Sequence, residues 1–346
     1  MKILMLSPRF MPYIGGVEKH VYEVCKRLVR LGHNLTVVTP HICEGREHES
    51  YDGIFVQRFG RNARDFWKYA LSNSLLRKVD IVHCHDYPTL IKWYLPFRLL
   101  KPSLPVFITF HGYEGLFPIP RRVVWERRLA EKLTWGNICV GDFITKWYGT
   151  KPTHVTYGGV VVPTVQITLD PIPTTAVFIG RLEDDTGILQ YLNALGILKR
   201  RWGIAIKLDI CGDGSLKESL ESLVKQIDVP VTFHGFVTNP DGFLRKAQFA
   251  FVSGYLAILE AMANRRLVCA VYENELRRDY LTMMSDANEM MVMGGSAEEI
   301  ATAIALHLRS PFLIKDKVDR GWTFASNQTW QKVADQYLTL WSSVSC

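Results

Sequence analysis

The chain has 346 residues, 48% of them apolar and 22% charged, and a formal net charge of +7. That length exceeds what one compact core usually organises and points to two domains. Its seven cysteines (Cys25, Cys43, Cys84, Cys139, Cys211, Cys269 and Cys346) form no Cys-x-x-Cys pair and no Cys/His cluster, which argues against a zinc site or a disulfide framework and for reduced thiols in a cytoplasmic protein. Charge is uneven: 23 Lys and Arg stand against 13 Asp and Glu up to residue 165, and 18 against 21 beyond it. A basic first half suits nucleic acid, an anionic membrane or a phosphorylated acceptor, and equally a plain solvated surface. No run of 18 apolar residues occurs, so any membrane contact would be peripheral.

In chain order, short β-branched runs predict strands at Lys2–Ser7, Asn34–Thr39, Ile54–Phe59, Asp80–Cys84, Val106–Phe110 and Asn137–Val140. Between the first two, Val17, Val21, Val24, Cys25, Leu28 and Leu31 recur at helical spacing, and Gly32 supplies the left-handed stop. Pro163, Pro171 and Pro173 mark Pro163–Thr175 as a linker. The rhythm then restarts, with strands predicted at Ala176–Ile179, Ala205–Cys211, Val231–Gly235, Phe249–Ser253 and Leu267–Val271. The clearest helices of this half are Asp184–Arg201, Ser215–Gln226 and Leu256–Asn264. Trp330, Val333, Ala334, Tyr337, Leu338 and Trp341 give Thr329–Trp341 one apolar face, which suits a terminal helix crossing back to the first domain. The pattern is α/β: two Rossmann-like domains with parallel sheets, over residues 1–165 and 166–325, and a closing helix over 326–346.

Ligands of such sheets bind beyond the carboxyl ends of the strands, so the strand-end loops hold the candidate chemistry. Gly15 and Gly16 open the first helix, where backbone N–H groups and the helix dipole favour a phosphate; a tight turn is the plainer alternative. Arg181 follows the first strand of the second half and can grip a diphosphate in paired hydrogen bonds, or merely pair with the acids after it. Gly212, Asp213 and Gly214 make a second glycine turn before a helix, with Asp213 or Ser215 as the alternative helix cap. Glu260 sits in an apolar helix, where a buried carboxylate needs a partner such as a ribose diol, or else a salt bridge to Arg265 or Arg266.

Six stretches in order resemble the retaining glycosyltransferases of family 4, which have the GT-B fold with two domains facing across a cleft. They are Ser7–Val17 (SPRFMPYIGGV), Val82–His85 (VHCH), Thr109–Gly112 (TFHG), Phe178–Leu182 (FIGRL), Ile210–Gly214 (ICGDG) and Leu256–Ala263 (LAILEAMA). The resemblance implies that the first domain holds the acceptor and the second a nucleotide-diphospho-sugar, UDP- or GDP-linked. It implies Gly16 against the donor diphosphate and acceptor, His111 at the donor sugar and reacting centre, Arg181 on the leaving diphosphate, and Glu260 on the ribose hydroxyls. No metal and no cofactor beyond the co-substrate is implied, and no nucleic acid partner.

Two positions depart from the family pattern. Thr186 stands where a lysine usually joins the arginine at the phosphates, with Asp184 and Asp185 before it. The usual glutamate eight residues before Glu260 is Val252, and the loop between is shortened to Ser253-Gly254-Tyr255. Three readings stay open: an active transferase using another cation such as Arg9 or Lys19, a transferase with an unusual donor, and a catalytically silent nucleotide- or carbohydrate-binding GT-B protein. A sugar-nucleotide epimerase shares the fold. After His111, the basic stretch Arg121, Arg122, Arg127, Arg128 and Lys132, with Val123, Val124, Trp125 and Leu129, suits either a peripheral membrane contact near a glycan or lipid-linked acceptor or an ordinary wet helix face.

Overall fold

The structure, a computed structural model, describes residues 1–13, 15–41, 47–60, 62–72, 79–163 and 171–342. Ile14, Cys43, Cys346 and most of the predicted linker lie outside the described residues. The five remaining cysteines are buried free thiols. The chain divides into two compact units, Met1–Gly159 with Trp330–Cys346, and Val160–Thr329.

In the first unit the elements run β1 (Lys2–Leu6), α1 (Gly16–Arg30), β2 (Asn34–Pro40), β3 (His48–Tyr51), β4 (Ile54–Phe59), α2 (Ala63–Ser72), β5 (Ile81–His85), α3 (Leu95–Leu100), β6 (Val106–His111), α4 (Arg121–Lys132), β7 (Gly136–Val140), α5 (Phe143–Tyr148) and β8 (His154–Thr156). They form one sheet in the order β3-β4-β2-β1-β5-β6-β7-β8, parallel except for β3. The central strands β1, β5 and β6 are almost wholly buried, their apolar residues interrupted inside the sheet only by His83 and His85 on β5 and Thr109 on β6. From β1 the order runs one way through β2 and the other way through β5. The crevice of this sheet therefore opens between the ends of β1 and β5.

The second unit repeats the scheme with β9 (Thr175–Ile179), α6 (Ile188–Trp202), β10 (Lys207–Cys211), α7 (Lys217–Ile227), β11 (Val231–Phe233), α8 (Asp241–Lys246), β12 (Phe249–Phe251), α9 (Tyr255–Ala263), β13 (Leu267–Val271), α10 (Glu275–Thr282), α11 (Ala287–Met290), β14 (Met291–Gly294), α12 (Ala297–Leu308) and α13 (Pro311–Ser326). Its sheet is parallel throughout, in the order β11-β10-β9-β12-β13-β14, so the order reverses between β9 and β12. Its core joins β9, β10, β12 and β13 to Tyr191, Leu192, Leu195 and Leu198 of α6 and Ile300 and Ile304 of α12.

The last helix, α14 (Trp330–Ser342), belongs to the first unit. Its ring of Trp330 meets His20 of α1 edge-on at 5.5 Å, and Gln336 donates to Val155 O at 3.0 Å.

Sequence and structure part company in a few places. Residues 184–201 are not one helix: Asp184–Thr186 make a single 3-10 turn, and Gly187, in the left-handed region (φ 77°), ends it before α6, a position that must be glycine because a Cβ there would also strike Val271. Strands β3, β8 and β14 were not foreseen; each is short and β3 is polar, so none carries a clean alternation. Val252 lies just past β12 rather than inside a strand and is buried.

Candidate active site

In the first unit the strand-end groups converge on a block of buried imidazoles. His83 and His85 lie two residues apart on β5, and Thr109 and His111 two apart on β6, so each pair shares one face of the sheet. His85 Nδ1 and His111 Nε2 are 2.9 Å apart. The His20 ring, from the second turn of α1, meets the His111 ring edge-on at 4.8 Å.

The donor-only Trp341 Nε1–H lies 3.1 Å from His83 Nδ1, which must therefore accept. His83 then carries its proton on Nε2, toward Thr109 Oγ1 at 2.8 Å. Thr109 Oγ1 is 2.8 Å from the Tyr337 hydroxyl, which is 3.0 Å from His20 Nε2. His85 Nε2 is buried without a partner. A buried N–H left unpaired is rarer than an unpaired acceptor, so the shared proton sits on His85 Nδ1 and His111 Nε2 accepts it.

Burial holds all four imidazoles neutral: it lowers His20 to about 3 and carries His83, His85 and His111 well below the ordinary histidine value, with neighbouring imidazoles adding to the effect for the last three. His111 is half-buried, and its backbone N–H donates to Asp86 Oδ1 at 2.6 Å. Asp86 itself is in the left-handed region (φ 64°). Burial raises its carboxyl to about 7 against the lowering influence of Arg127 and the His111 N–H.

Arg127 is a correction to the sequence reading. It is no part of a basic surface, being buried beneath the loop after β6. Its Nε and Nη2 donate to Glu114 Oε1 at 3.0 and 2.9 Å, its Nη2 also to Gly112 O at 2.8 Å, and its guanidinium lies 4.0 Å over Tyr148. Its position three or four residues from Val123, Val124 and Ala130 places it on the inner face, a signal present in the sequence. Arg121, Arg122, Arg128 and Lys132 remain exposed, with Trp125, Leu116 and Phe117 beside them in sequence.

At α1 the two glycines differ. Gly15 is the extended N-cap, and the Glu18 carboxylate folds back onto it. Burial raises the Glu18 carboxyl, while its own N–H, Arg9 and the Gly15 N–H pull it down. The helix N-terminus is thus already faced by a carboxylate. Gly16 is open: a Cβ there would meet nothing within 4 Å.

In the second unit Arg181 leaves the end of β9. Its side chain is 65% exposed and its Nη2 is bound by both carboxylate oxygens of Asp185 at 3.1 and 2.8 Å. The Gly212–Gly214 turn lies against the same loop, with Leu182 N–H donating to Asp213 O at 2.9 Å. A Cβ on Gly212 would overlap Gly180 O, and one on Gly214 would overlap Leu182 O, so both glycines are required by packing. Neither Asp213 nor Ser215 caps α7, which begins at Lys217. Asp213 Oδ1 accepts from Gly214 N–H, and Glu183 holds Ser215 through its N–H and hydroxyl.

Glu260 is half-buried rather than buried, on the open face of α9 with Leu256 and Ala257. Arg265 is engaged with Asp319 at 2.7 Å, and Arg266 donates to Asn264 O and Ala247 O. Thr186 turns its hydroxyl inward to Glu183 O at 2.7 Å. Among the described residues no group of three or more His, Cys, Asp or Glu is placed to hold a metal, and no helix is long and apolar enough to cross a membrane.

Two doubly wound sheets, each with its polar groups at a topological switch point, define the GT-B class of α/β protein. The chain belongs to the glycosyltransferases: residues 14–162 match the sequence model of Glycosyltransferase Family 4, and residues 173–310 that of Glycosyl transferases group 1. Glycogen synthase of Mycobacterium tuberculosis is 23% identical over 272 residues, 64% of this chain. That match spans 63% of the relative's length. Among solved structures, Anabaena HepE in complex with UDP superposes with a TM-score of 0.76 at 14% identity, over 99% of this chain and 100% of that one. A glycosyltransferase from Rickettsia africae gives 0.73 at 16% identity, over 99% and 98%.

Proposed function

We propose that the chain transfers a glycosyl unit from a nucleoside diphosphate sugar, UDP- or GDP-linked, to a glycan or lipid-linked acceptor, with retention at the anomeric carbon and without a metal. The observation that carries this is the position of His111 and Arg181: His111 ends β6 and touches His85 at the end of β5, which flanks the first sheet's switch point, and Arg181 stands in the loop just after β9, which flanks the second. The UDP complex of HepE, and that protein's complex with UDP-glucose, support a uridine donor by analogy of fold.

When the bond from the anomeric carbon to the diphosphate breaks, charge accumulates on the leaving oxygens. Arg181 stabilises it after exchanging Asp185 for phosphate. That exchange is cheap, because an exposed ion pair contributes about 1 kcal/mol or less. His111, neutral and held by His85 and Asp86, presents an imidazole able to bond a sugar hydroxyl without an ionic penalty. Gly16 leaves room for the substrate against backbone, and Glu260 takes the ribose hydroxyls. The exposed Trp125, Leu116 and Phe117, with Arg121, Arg122 and Arg128, suit peripheral contact with an anionic membrane on its cytoplasmic face.

The test is a panel of UDP-, GDP- and ADP-sugars, read by thermal stabilisation and by slow donor hydrolysis, with and without EDTA. Stabilisation and released diphosphate with one base, unaffected by EDTA, support the reading. A stable protein that responds to none of them overturns it. Stabilisation without turnover, even with acceptors added, supports instead a silent nucleotide-binding protein, which the loss of the usual lysine and glutamate at Thr186 and Val252 favours. Sedimentation with anionic vesicles tests the membrane contact, and absence of binding removes it.

A further inference from the structure

The crevice of the second sheet lies between the loops after β9 and β12, and one side chain joins both. Ser253 donates its hydroxyl to Thr186 O at 3.2 Å, tying the loops together. Arg277, from the first turn of α10, places Nη2 3.2 Å from Asp185 O and 3.3 Å from Ser253 Oγ, so its guanidinium sits where the two loops meet. It is held there by several means. Its backbone N–H donates to the N-cap Asn274 Oδ1 at 2.9 Å, and its guanidinium lies 5.2 Å over the Tyr280 ring. Tyr280 in turn stacks on Tyr255 at 3.9 Å, accepts the Tyr255 N–H at 2.9 Å and, through its carbonyl, the Tyr255 hydroxyl at 2.6 Å. The start of α9 and the arginine-bearing face of α10 are thereby fixed to each other.

The charges around this point are mixed. Arg181 is bound to Asp185, and Asp184 precedes it. Partial desolvation raises the Glu273 carboxyl; Arg277 draws it down, and Asp185 and Asp184 push it up, so all three carboxylates share one neighbourhood with Arg277. A dianionic diphosphate entering here meets three acids, and Arg181 alone, itself paired, does not balance them. A second cation aimed at the switch point is what the site requires.

We propose that Arg277 is a phosphate-binding residue of the donor site, gripping the nucleoside diphosphate together with Arg181 and taking the place of the cation missing at Thr186. The proposal rests on the nucleotide-sugar reading above. The hydrogen bonds that place Nη2 go to two neutral oxygens, the Asp185 carbonyl and the Ser253 hydroxyl.

The experiment is calorimetric titration of the full chain with UDP, GDP and ADP, and with the nucleoside of whichever binds. The variants are Arg277→Gln, Arg277→Lys and Ser253→Ala, each checked for an unchanged melting temperature. Loss of a charge-assisted contact predicts diphosphate binding weakened about tenfold to a hundredfold in Arg277→Gln, with nucleoside binding within about twofold of wild type. Arg277→Lys should fall between, and Ser253→Ala, which removes one of the two contacts that place Nη2 but no charge, should lose less diphosphate affinity than Arg277→Gln. Equal loss of nucleoside and diphosphate, wild-type affinity in Arg277→Gln, or an equal loss in Ser253→Ala overturns the proposal. A wild-type chain that binds none of the three diphosphates overturns the nucleotide-sugar reading itself, and is thus told apart from failure at Arg277 alone.

Discussion

Gly16 offers a way to separate a glycine kept for a ligand from one kept for the fold. It is the first residue of α1, is not in the left-handed region, and a Cβ added to it meets nothing within 4 Å. Gly16→Ala should therefore leave the fold intact or stabilise it by about 0.4–1 kcal/mol through the unfolded chain's lost freedom. For a unit of this size that is a rise in Tm of at most about 4 °C. Gly212→Ala is the counter-case, since its Cβ would overlap the backbone oxygen of Gly180 and force the turn to move. Overpacking of this kind costs about 1–3 kcal/mol, a fall in Tm of several degrees. If substrate lies against Gly16, the same methyl intrudes on the ligand instead, and a penalty of about 1–3 kcal/mol becomes roughly a 5-fold to 160-fold loss in kcat/KM. Thermal melts of both variants, with donor hydrolysis or transfer rates for Gly16→Ala, decide the matter. A stable Gly16→Ala protein with kcat/KM within twofold of wild type would refute the ligand contact. A Tm lowered as far as in Gly212→Ala would show that the fold, not the substrate, needs this glycine.

Arg181→Ala should lower kcat/KM by about 100-fold while changing unfolding free energy by less than about 1 kcal/mol, because its ion pair with Asp185 is open to solvent; unchanged turnover would remove Arg181 from the reaction. The buried imidazoles have folded pKa values below their unfolded ones, so the unfolded chain binds more protons as pH falls below about 6.5 and stability drops on acidification, by up to about 1.4 kcal/mol per pH unit for each histidine. Denaturant titrations from pH 7.5 to 4.5 should show a shallower loss in His20→Gln than in wild type, and parallel curves would refute neutral burial of His20. Asp86 has the opposite sign: its carboxyl is raised from 3.8 to about 7, so the unfolded chain ionises first and stability falls as pH climbs from about 4 to 7. Asp86→Asn, which still accepts the His111 N–H and tolerates the left-handed backbone, should gain on wild type across that interval, and a constant difference between the two would refute the raised pKa.

The parallel sheets were legible because buried strands must be apolar runs, and Leu267–Val271 and Ile54–Phe59 fall where their runs do. Edge strands carry no such demand, which is why His48–Tyr51 gave no signal. Of the candidate residues, Gly212 and Gly214 look from sequence like phosphate glycines, yet their immediate physical necessity is the approach of the turn to Gly180 and Leu182. Sequence spacing cannot tell these two uses apart, because both need a missing Cβ. The imidazole block was half visible. His83-x-His85 and Thr109-x-His111 are polar pairs at period two inside apolar strands, which already says that they share a buried face. Their partners Tyr337 and Trp341 lie more than 200 residues on, and only the path of α14 brings them there. Arg277 had no signal at all, for its role comes from where α10 meets the loops after β9 and β12.

That long-range closure explains why the first unit needs the end of the chain. A buried polar cluster is favourable only when its donors and acceptors are matched, and half-satisfied it is worse than an apolar core. Trp341 fixes the tautomer of His83, and Tyr337 links Thr109 to His20, so α14 completes the hydrogen bonding of three strand and helix side chains that precede it by more than 200 residues. Trp330, Tyr337 and Trp341 fall on one face of α14 at spacings of seven and four residues, so one helical surface delivers all three. The same cluster ends at His111 through the edge-on contact of His20 and the hydrogen bond of His85. The orientation of the imidazole at the strand end is therefore set from two sides, by the sheet that carries it and by the helix that arrives last in the sequence.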